Sequence, residues 1–345
     1  MTFSNITSII VSLLVLGVLV IGHEAGHFFI GKILGFKIEE FSIGFGPKLV
    51  NWTNKGTLYS IRILPLGGFV RFLGEEQSST DMQAFNNQAV WKRILVIVTG
   101  PIMNILLAVV LAIFVLVGFG DYFPIPVIGE IVDKSPAQVT GLKVGDVITE
   151  INSIPIKTYD DVIRTIQKYK ANTLSITVKR SAQTIKYNLN PYYDNSTKTM
   201  RIGIILSQEK RKVGLFEGIK LSFQWVYNII KLMLDYLGKL FIHGQGVNDI
   251  MGPVGTIGLI GKAAEHSMET LIRLAILITL NLGIVNLLPF PALDGGRLLF
   301  LFLEGIRGKP LSQDREGYIH FAGFVILLLL MLLFTYKDIV RFFAK

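Results

Sequence analysis

The sequence predicts a polytopic α-helical membrane protein with about four transmembrane helices, a membrane-associated β-hairpin region and one inserted soluble α/β module. Three observations lead there. The 345-residue chain is 51% hydrophobic and only 17% charged, with a mean hydropathy of +0.52. Apolar runs near 6–31, 92–119, 270–293 and 319–340 are each long enough to cross a hydrocarbon core of ~30 Å, which takes about 20 helical residues. Between the second and third runs, residues 125–208 turn polar and lysine-rich with a mixed strand and helix pattern.

The first run, IIVSLLVLGVLVIGHEAGHFFIGKIL, contains His23-Glu24-Ala25-Gly26-His27. The H-E-x-x-H spacing puts His23 and His27 on one helical face, where both imidazoles reach a single zinc ion and Glu24 reaches the water beside it. Ionisable groups inside a span are expensive and mark function. The competing reading, two histidines that only pack or cap, has to explain why two of just five histidines fall on this spacing with the glutamate between them. The run has no basic leading segment and no small-residue cleavage site, so it reads as a retained span and not a signal peptide. Cysteine is absent, which excludes disulfides and thiolate ligands and leaves nitrogen and oxygen donors for any metal.

After this span come two glycine-rich β stretches, Ser42–Pro47 and Leu58–Arg71, which read as short strands joined by turns. Strands at membrane depth survive only when buried in protein or lining a wet cavity. The 57–71 hairpin is expected to present a free edge at Ile61 and Ile63, where an unwound peptide can add as a strand.

In the polar module, Val127–Val132 and Leu174–Val178 read as strands, and Thr158 caps a helix that buries Val162, Ile163 and Ile166. Ser135-Pro136-Ala137 followed by Gly141-Leu142-Lys143-Val144-Gly145-Asp146 resembles the PDZ signature of bacterial membrane proteases. Such a domain takes an extended peptide on a sheet edge, and the segment near Arg201–Ile204 suits the carboxylate loop; a steric role fits equally well. Residues 215–242 are apolar but interrupted by Glu217, Lys220, Lys231, Asp235 and Lys239, and read as an amphipathic helix at the interface.

Catalytic zinc usually has three protein ligands. His243, His266 and His320 lack any partner spacing and read as structural or solvated. Asp294 is the better third ligand: it closes Asn286-Leu287-Leu288-Pro289-Phe290-Pro291-Ala292-Leu293-Asp294-Gly295-Gly296, an apolar helix opened by two prolines. The expected organisation is 1–120 for two spans with the hairpin, 121–210 for the soluble module, 211–268 for the amphipathic helix and a loop, and 269–345 for the last two spans.

HEAGH, the proline-flanked NLLPFPALDGG, one PDZ module and Gly100-Pro101-Ile102-Met103-Asn104 together resemble the site-2 protease family, in its bacterial regulator of sigma-E protease group. LPLGGFVRF and FNNQAVWKRILVIVTGPIMN look like its single-PDZ members. The resemblance implies an intramembrane zinc metalloprotease, with His23, His27 and Asp294 as ligands and Glu24 as general base. It implies substrate contacts for Asn286 and Asn104, and as substrates the membrane segments of anti-sigma factors or signal-peptide remnants. The alternative is a membrane-anchored zinc peptidase acting on non-membrane segments, which would place H-E-x-x-H beyond the span. A PDZ scaffold needs neither histidine nor Glu24, and a metal transporter leaves Glu24 without a task.

Asp294 and the histidine pair each lie toward the C-terminal end of their run, so both helices must run in the same direction to share a metal. That requires 215–242 not to cross. The uncharged start MTFSN, and Lys32, Lys37, Lys48, Lys92 and Arg93 near span ends, put the site toward the cytoplasm and the PDZ module outside a bacterial cell membrane. The net charge of +9 suits anionic lipid headgroups in a chain this apolar, and no nucleic-acid partner is expected.

Overall fold

A computed structural model describes residues 3–75, 77, 79–169, 172–195, 198–246, 250–310 and 312–343. Met1 and Thr2 of the MTFSN start lie outside them. The chain divides into two compact units, one made of residues 1–117 and 214–345 and the other of 118–213.

In the larger unit, α1 (Phe3–Ile33) leads into a hairpin of β1 (Ile38–Asn54) and β2 (Thr57–Phe72), then α2 (Val90–Phe119). Lys55 and Gly56 make the hairpin turn at positive φ, 47° and 77°, the geometry that matches strand twist. The hairpin is longer and more folded than two short strands. Residues 58–61 of β2 lie between two arms of β1: Tyr59 is opposite Phe41 and Trp52, Ser60 opposite Ser42 and Asn51, Ile61 opposite Ile43 and Val50. The last part of β2 pairs on one flank only, Phe69 with Ser42 and Val70 with Phe41. One free edge therefore runs along 68–71, the opposite one runs along 50–54, and neither runs past Ile61. Ile63, half exposed, belongs to the same arm as Ile61. Buried Glu40 ties the layers together through Arg62, Arg71 and Ser60.

The smaller unit is the inserted PDZ domain. Its elements are β3 (Asp121–Ile131), α3 (Pro136–Thr140), β4 (Val147–Ile151), β5 (Ile154–Pro155), α4 (Tyr159–Tyr169), β6 (Leu174–Arg180), β7 (Gln183–Leu189), β8 (Tyr192–Asp194), β9 (Thr199–Arg201) and β10 (Ile204–Arg211). The main sheet runs β10-β3-β4-β6-β7 with β5 on β4, around a core of Ile128, Ile148, Ile151, Val162, Ile166, Leu174, Ile176 and Val178. Thr158 and Asp161 exchange hydrogen bonds in a capping box at the start of α4. Ile163, expected inside, is 40% exposed: Val162, Thr165 and Ile166 face the core, and Ile163 lines a cleft with Ile166, Ile205 and Leu206.

The larger unit resumes with α5 (Leu215–His243), α6 (Pro253–His266), α7 (Met268–Asn286), α8 (Asp294–Arg307) and α9 (Gln313–Phe343). Among the described residues, four helices are long and apolar enough to cross a membrane, over 6–33, 90–119, 268–286 and 314–341. The apolar stretch of α9 is almost entirely unburied, so nearly all of that helix is left for lipid. α5 is not among the four. It docks by a stripe of Gly218, Ser222, Val226 and Ile229, and its Val226 and Ile229 join Ala108, Ala112 and Val115 of α2 and Ile276 and Leu280 of α7 in one core. The stretch expected as a loop before the third span holds α6, whose Ile260 and Ala263 pack with Val11, Val15 and Leu16 of α1. Small residues set the close crossings, as membrane helices require: Gly261 meets Ser8, and Gly283 meets Asn104.

The third span stops at Asn286, not 293. Pro289 and Pro291 lack the N–H that would continue the ladder, and each restricts the residue before it. Asp294 consequently starts α8 and does not end α7. Asn286 is separated from it by a non-helical turn, not by two turns of one helix.

Candidate active site

The site is assembled from α1, α2, the free edge of β2 and the start of α8. His23 and His27 lie one turn apart, 5% and 7% exposed. Their Nε2 atoms are 3.2 Å apart, and Asp294 Oδ2 lies 3.0 Å from the first and 3.5 Å from the second. His27 Nδ1 donates to the Val96 carbonyl of α2 at 2.9 Å, which fixes the ring and leaves Nε2 with its lone pair. Gly100 makes this approach possible. A Cβ there would run into both imidazoles, 2.9 Å from His23 Cε1. Reciprocally, a Cβ on Gly26 would sit 2.5 Å from the Thr99 carbonyl oxygen.

The prolines and glycines of 287–296 deliver Asp294. Ala292 turns at φ 73°, and its N–H donates to His320 Nδ1 on α9 at 2.9 Å. Gly323, one turn along α9, is pressed on Pro291. Gly295 and Gly296 lie against the carbonyl groups of Leu287 and Phe290, where any side chain would collide. Arg297, a turn after Asp294, pairs with Glu75 beyond β2 and so joins α8 to the end of the free edge. His320 is thus part of the support of the site, although sequence spacing marked it only as structural or solvated.

Asp294 Oδ2 is buried and receives no hydrogen bond among the described residues. Together His23, His27 and Asp294 offer one ligand atom each within 4.8 Å of one another. Two imidazole nitrogens and a carboxylate oxygen in this arrangement fit a zinc ion with an open position. The adjoining cavity of about 500 Å³ is lined by Glu24, Phe69, Val70, Ile97 and Arg297. A Cβ on Gly68 would lie 3.5 Å from Glu24 Cγ, so the free edge passes beside the glutamate.

Of the other residues singled out by sequence, Asn104 is wholly buried and faces His23 Nδ1 at 3.1 Å. Asn286 ends α7 half-buried. Ile61 and Ile63 lie away from the free edge that borders the cavity. Sequence reasoning gave no site role to Gly100, Val96, Glu75 or Arg297. Only Gly100 carried a signal, in the Gly-Pro pair of α2; the Val96 group is a backbone carbonyl and has none.

An H-E-x-x-H pair inside a membrane helix, met by a carboxylate from a second, proline-broken segment, defines a membrane-embedded metallopeptidase. The chain belongs to peptidase family M50, whose model matches residues 11–330, and so to the site-2 proteases its motifs resemble. Among its relatives, a Clostridium acetobutylicum protein is 38% identical over 99% of this chain and 98% of its own length. The zinc metalloprotease RasP of Geobacillus kaustophilus is 31% identical, and the regulator of sigma-W protease RasP of Bacillus subtilis 30%, each over 98% of this chain and 99% of the relative. Those two alignments span 428 and 422 positions, so the RasP proteins carry residues with no counterpart here. The PDZ domain of an SdrC-like protein from Listeria monocytogenes aligns with 24% of this chain and 88% of that domain, at 26% identity and a TM-score of 0.22.

Proposed function

We propose that this multi-pass bacterial membrane protein is a zinc metalloprotease that hydrolyses peptide bonds within the transmembrane segments of other membrane proteins, of the anti-sigma-factor or signal-peptide-remnant class. The observation that carries this reading is the convergence of His23, His27 and Asp294 beside Glu24 within the membrane-spanning unit. A peptidase for non-membrane segments would have no reason to keep its carboxylates and imidazoles at this depth. The "regulator of sigma-W protease" name of the Bacillus subtilis relative supports the anti-sigma class.

His23, His27 and Asp294 would hold the metal, which when bound would acidify a water and polarise the scissile carbonyl. Glu24 takes the proton of the attacking water and passes it to the leaving amine. The substrate helix must unwind first, because its peptide groups are hydrogen-bonded within it. The unwound segment adds to the free edge at 68–71, which sets its backbone beside Glu24, and Asn286 contacts that segment from the end of α7. The reading with the site toward the cytoplasm and the PDZ domain outside rests on Lys32, Lys37, Lys48, Lys92 and Arg93 near the same span ends, and on reading the charge-interrupted α5 as an interfacial helix. The PDZ domain then acts on the outer part of a substrate, by peptide binding or as a steric filter.

The test is cleavage of a helical membrane substrate by purified protein in detergent. Wild type is expected to cut it and to stop on chelation. Glu24→Gln is expected to keep zinc and lose about 10²–10⁴-fold in rate. Chelator-insensitive cleavage, or full activity in the variant, would sink the proposal.

A further inference from the structure

Asn104 is 0% exposed, held where α2 meets α7: Gly283 packs on its Cβ and Thr279 Oγ1 donates to its backbone oxygen. Its side-chain nitrogen lies 3.1 Å from His23 Nδ1, and its Oδ1 is buried with no partner among the described residues. With the amide in this orientation Nδ2 is the donor and Nδ1 the acceptor. The ring proton of a neutral His23 then sits on Nε2, the atom that faces His27 Nε2 and Asp294 Oδ2. An imidazole cannot give a metal a lone pair from a protonated nitrogen.

Turning the amide by 180° removes the conflict. The oxygen and nitrogen ends of an amide have nearly the same shape, so the buried packing admits either, and the hydrogen-bond network decides. Oδ1 then accepts from Nδ1–H and Nε2 is free to coordinate. The same wiring already holds in the other histidine, where the Val96 carbonyl, an obligate acceptor, takes the Nδ1–H of His27. The two ligands are thus treated alike, one by a backbone oxygen and one by an amide oxygen of the same helix, two turns apart.

We infer that Asn104 is a positioning residue of the metal site: its Oδ1 accepts the His23 Nδ1 proton and so fixes both the tautomer and the plane of that ligand. This rests on the zinc reading of His23, His27 and Asp294, and it differs from a substrate contact. A residue that held substrate would change KM and leave metal affinity alone. A residue that orients a ligand changes metal affinity, typically 10–100-fold on removal.

The experiment measures zinc affinity of the full-length protein in detergent by chelator competition, for wild type, Asn104→Asp and Asn104→Leu, with helical content as the folding control. Aspartate, when ionised, keeps an oxygen acceptor and donates nothing. Leucine keeps the volume and accepts nothing. The expected result is a 10–100-fold loss for leucine and affinity within a few-fold of wild type for aspartate. Equal loss in both variants overturns the inference, as does wild-type affinity in a folded leucine variant. A second measurement does not depend on either variant folding: imidazole nitrogen spectra of zinc-loaded protein carrying labelled histidine and Glu24→Gln. His23 is expected with its proton on Nδ1; a proton on Nε2 overturns the inference. His23→Ala and Asp294→Ala run alongside keep the two levels apart. Retained zinc in those variants fells the metal reading itself, whereas their loss of zinc with no loss in Asn104→Leu fells only the role of Asn104.

Discussion

Gly100 of α2 packs against the imidazoles of His23 and His27 so closely that the helix pair has no room for one methyl group between them. The distance between α1 and α2 is therefore set at the metal ligands. Gly100→Ala is expected to push the rings off their shared focus and lower zinc content at least tenfold, with activity falling in step. Gly118→Ala, at the far end of α2 where a Cβ meets nothing, is the control. Metal analysis of the two purified variants decides it, and equal zinc in both would mean the helices separate easily.

The loop that brings Asp294 to the histidines is held from α9 by His320 and Gly323. Asp294→Ala is expected to remove most zinc, since two ligands remain of three. His320→Leu frees the Ala292 N–H and is expected to lower zinc partially, by loosening the loop. His243 and His266, remote from the ligand group, are expected to be neutral on substitution. Zinc content of the four variants checks the ranking, and unchanged zinc in Asp294→Ala with loss in His266→Ala would move the third ligand elsewhere.

What could be read from sequence follows from how local each signal is. H-E-x-x-H is legible because the i, i+4 spacing alone puts both rings on one face, and Asp294 because prolines and a carboxylate in an apolar run are costly without a task. The end of α7 was within reach too: Pro289 and Pro291 forbid the helix that composition extends to 293. The helices α6 and α8 were not legible, because glycines at 252, 255, 258 and 261 and at 295 and 296 give a loop-like composition to segments that tertiary contacts keep helical. The double pairing of Ile61 is a question of register with Ile43 and Val50, 18 and 11 residues away, which no local pattern fixes.

That register changes the expectation for substrate handling. With Ile61 paired to Ile43 and Val50, proline there breaks the hairpin interior and is expected to reduce folding yield. Along the free edge, Phe69 and Val70 alternate in the direction of their N–H groups, so proline at one of the two removes an outward donor and spares the ladder. One of Phe69→Pro and Val70→Pro is accordingly expected to slow cleavage about tenfold or more with zinc content unchanged. Substrates with glycine or proline near the scissile bond should be cut faster than polyleucine versions, because unwinding costs about 1 kcal/mol less per glycine. Rates over such a substrate series beside metal analysis test both points. Cleavage indifferent to helix stability would refute pairing on this edge.

In the PDZ domain, Asp146 is fully buried at the foot of β4 and accepts two hydrogen bonds from Arg180 at the end of β6, at 2.7 and 2.8 Å, and one from the Lys143 N–H at 2.9 Å. Burial alone would raise its carboxyl; the Arg180 and Lys143 bonds outweigh it and hold the group below the usual carboxylate range. A carboxylate held low in the folded state contributes stability that is present above its unfolded value of ~3.9 and is lost as pH falls through the folded one. Arg180→Met leaves the buried Asp146 charge without its partner and destabilises the domain. Without Arg180 the burial effect prevails and the carboxyl rises, so the variant should bind a proton on folding and regain stability as pH is lowered toward 5. Wild type should change little over the same range. Hydrogen exchange of the β4 and β6 amides in the full-length protein at pH 5 and pH 8 measures this directly: the variant should exchange faster than wild type at both, with the larger gap at pH 8. A gap independent of pH would show that Arg180 stabilises the domain by packing alone.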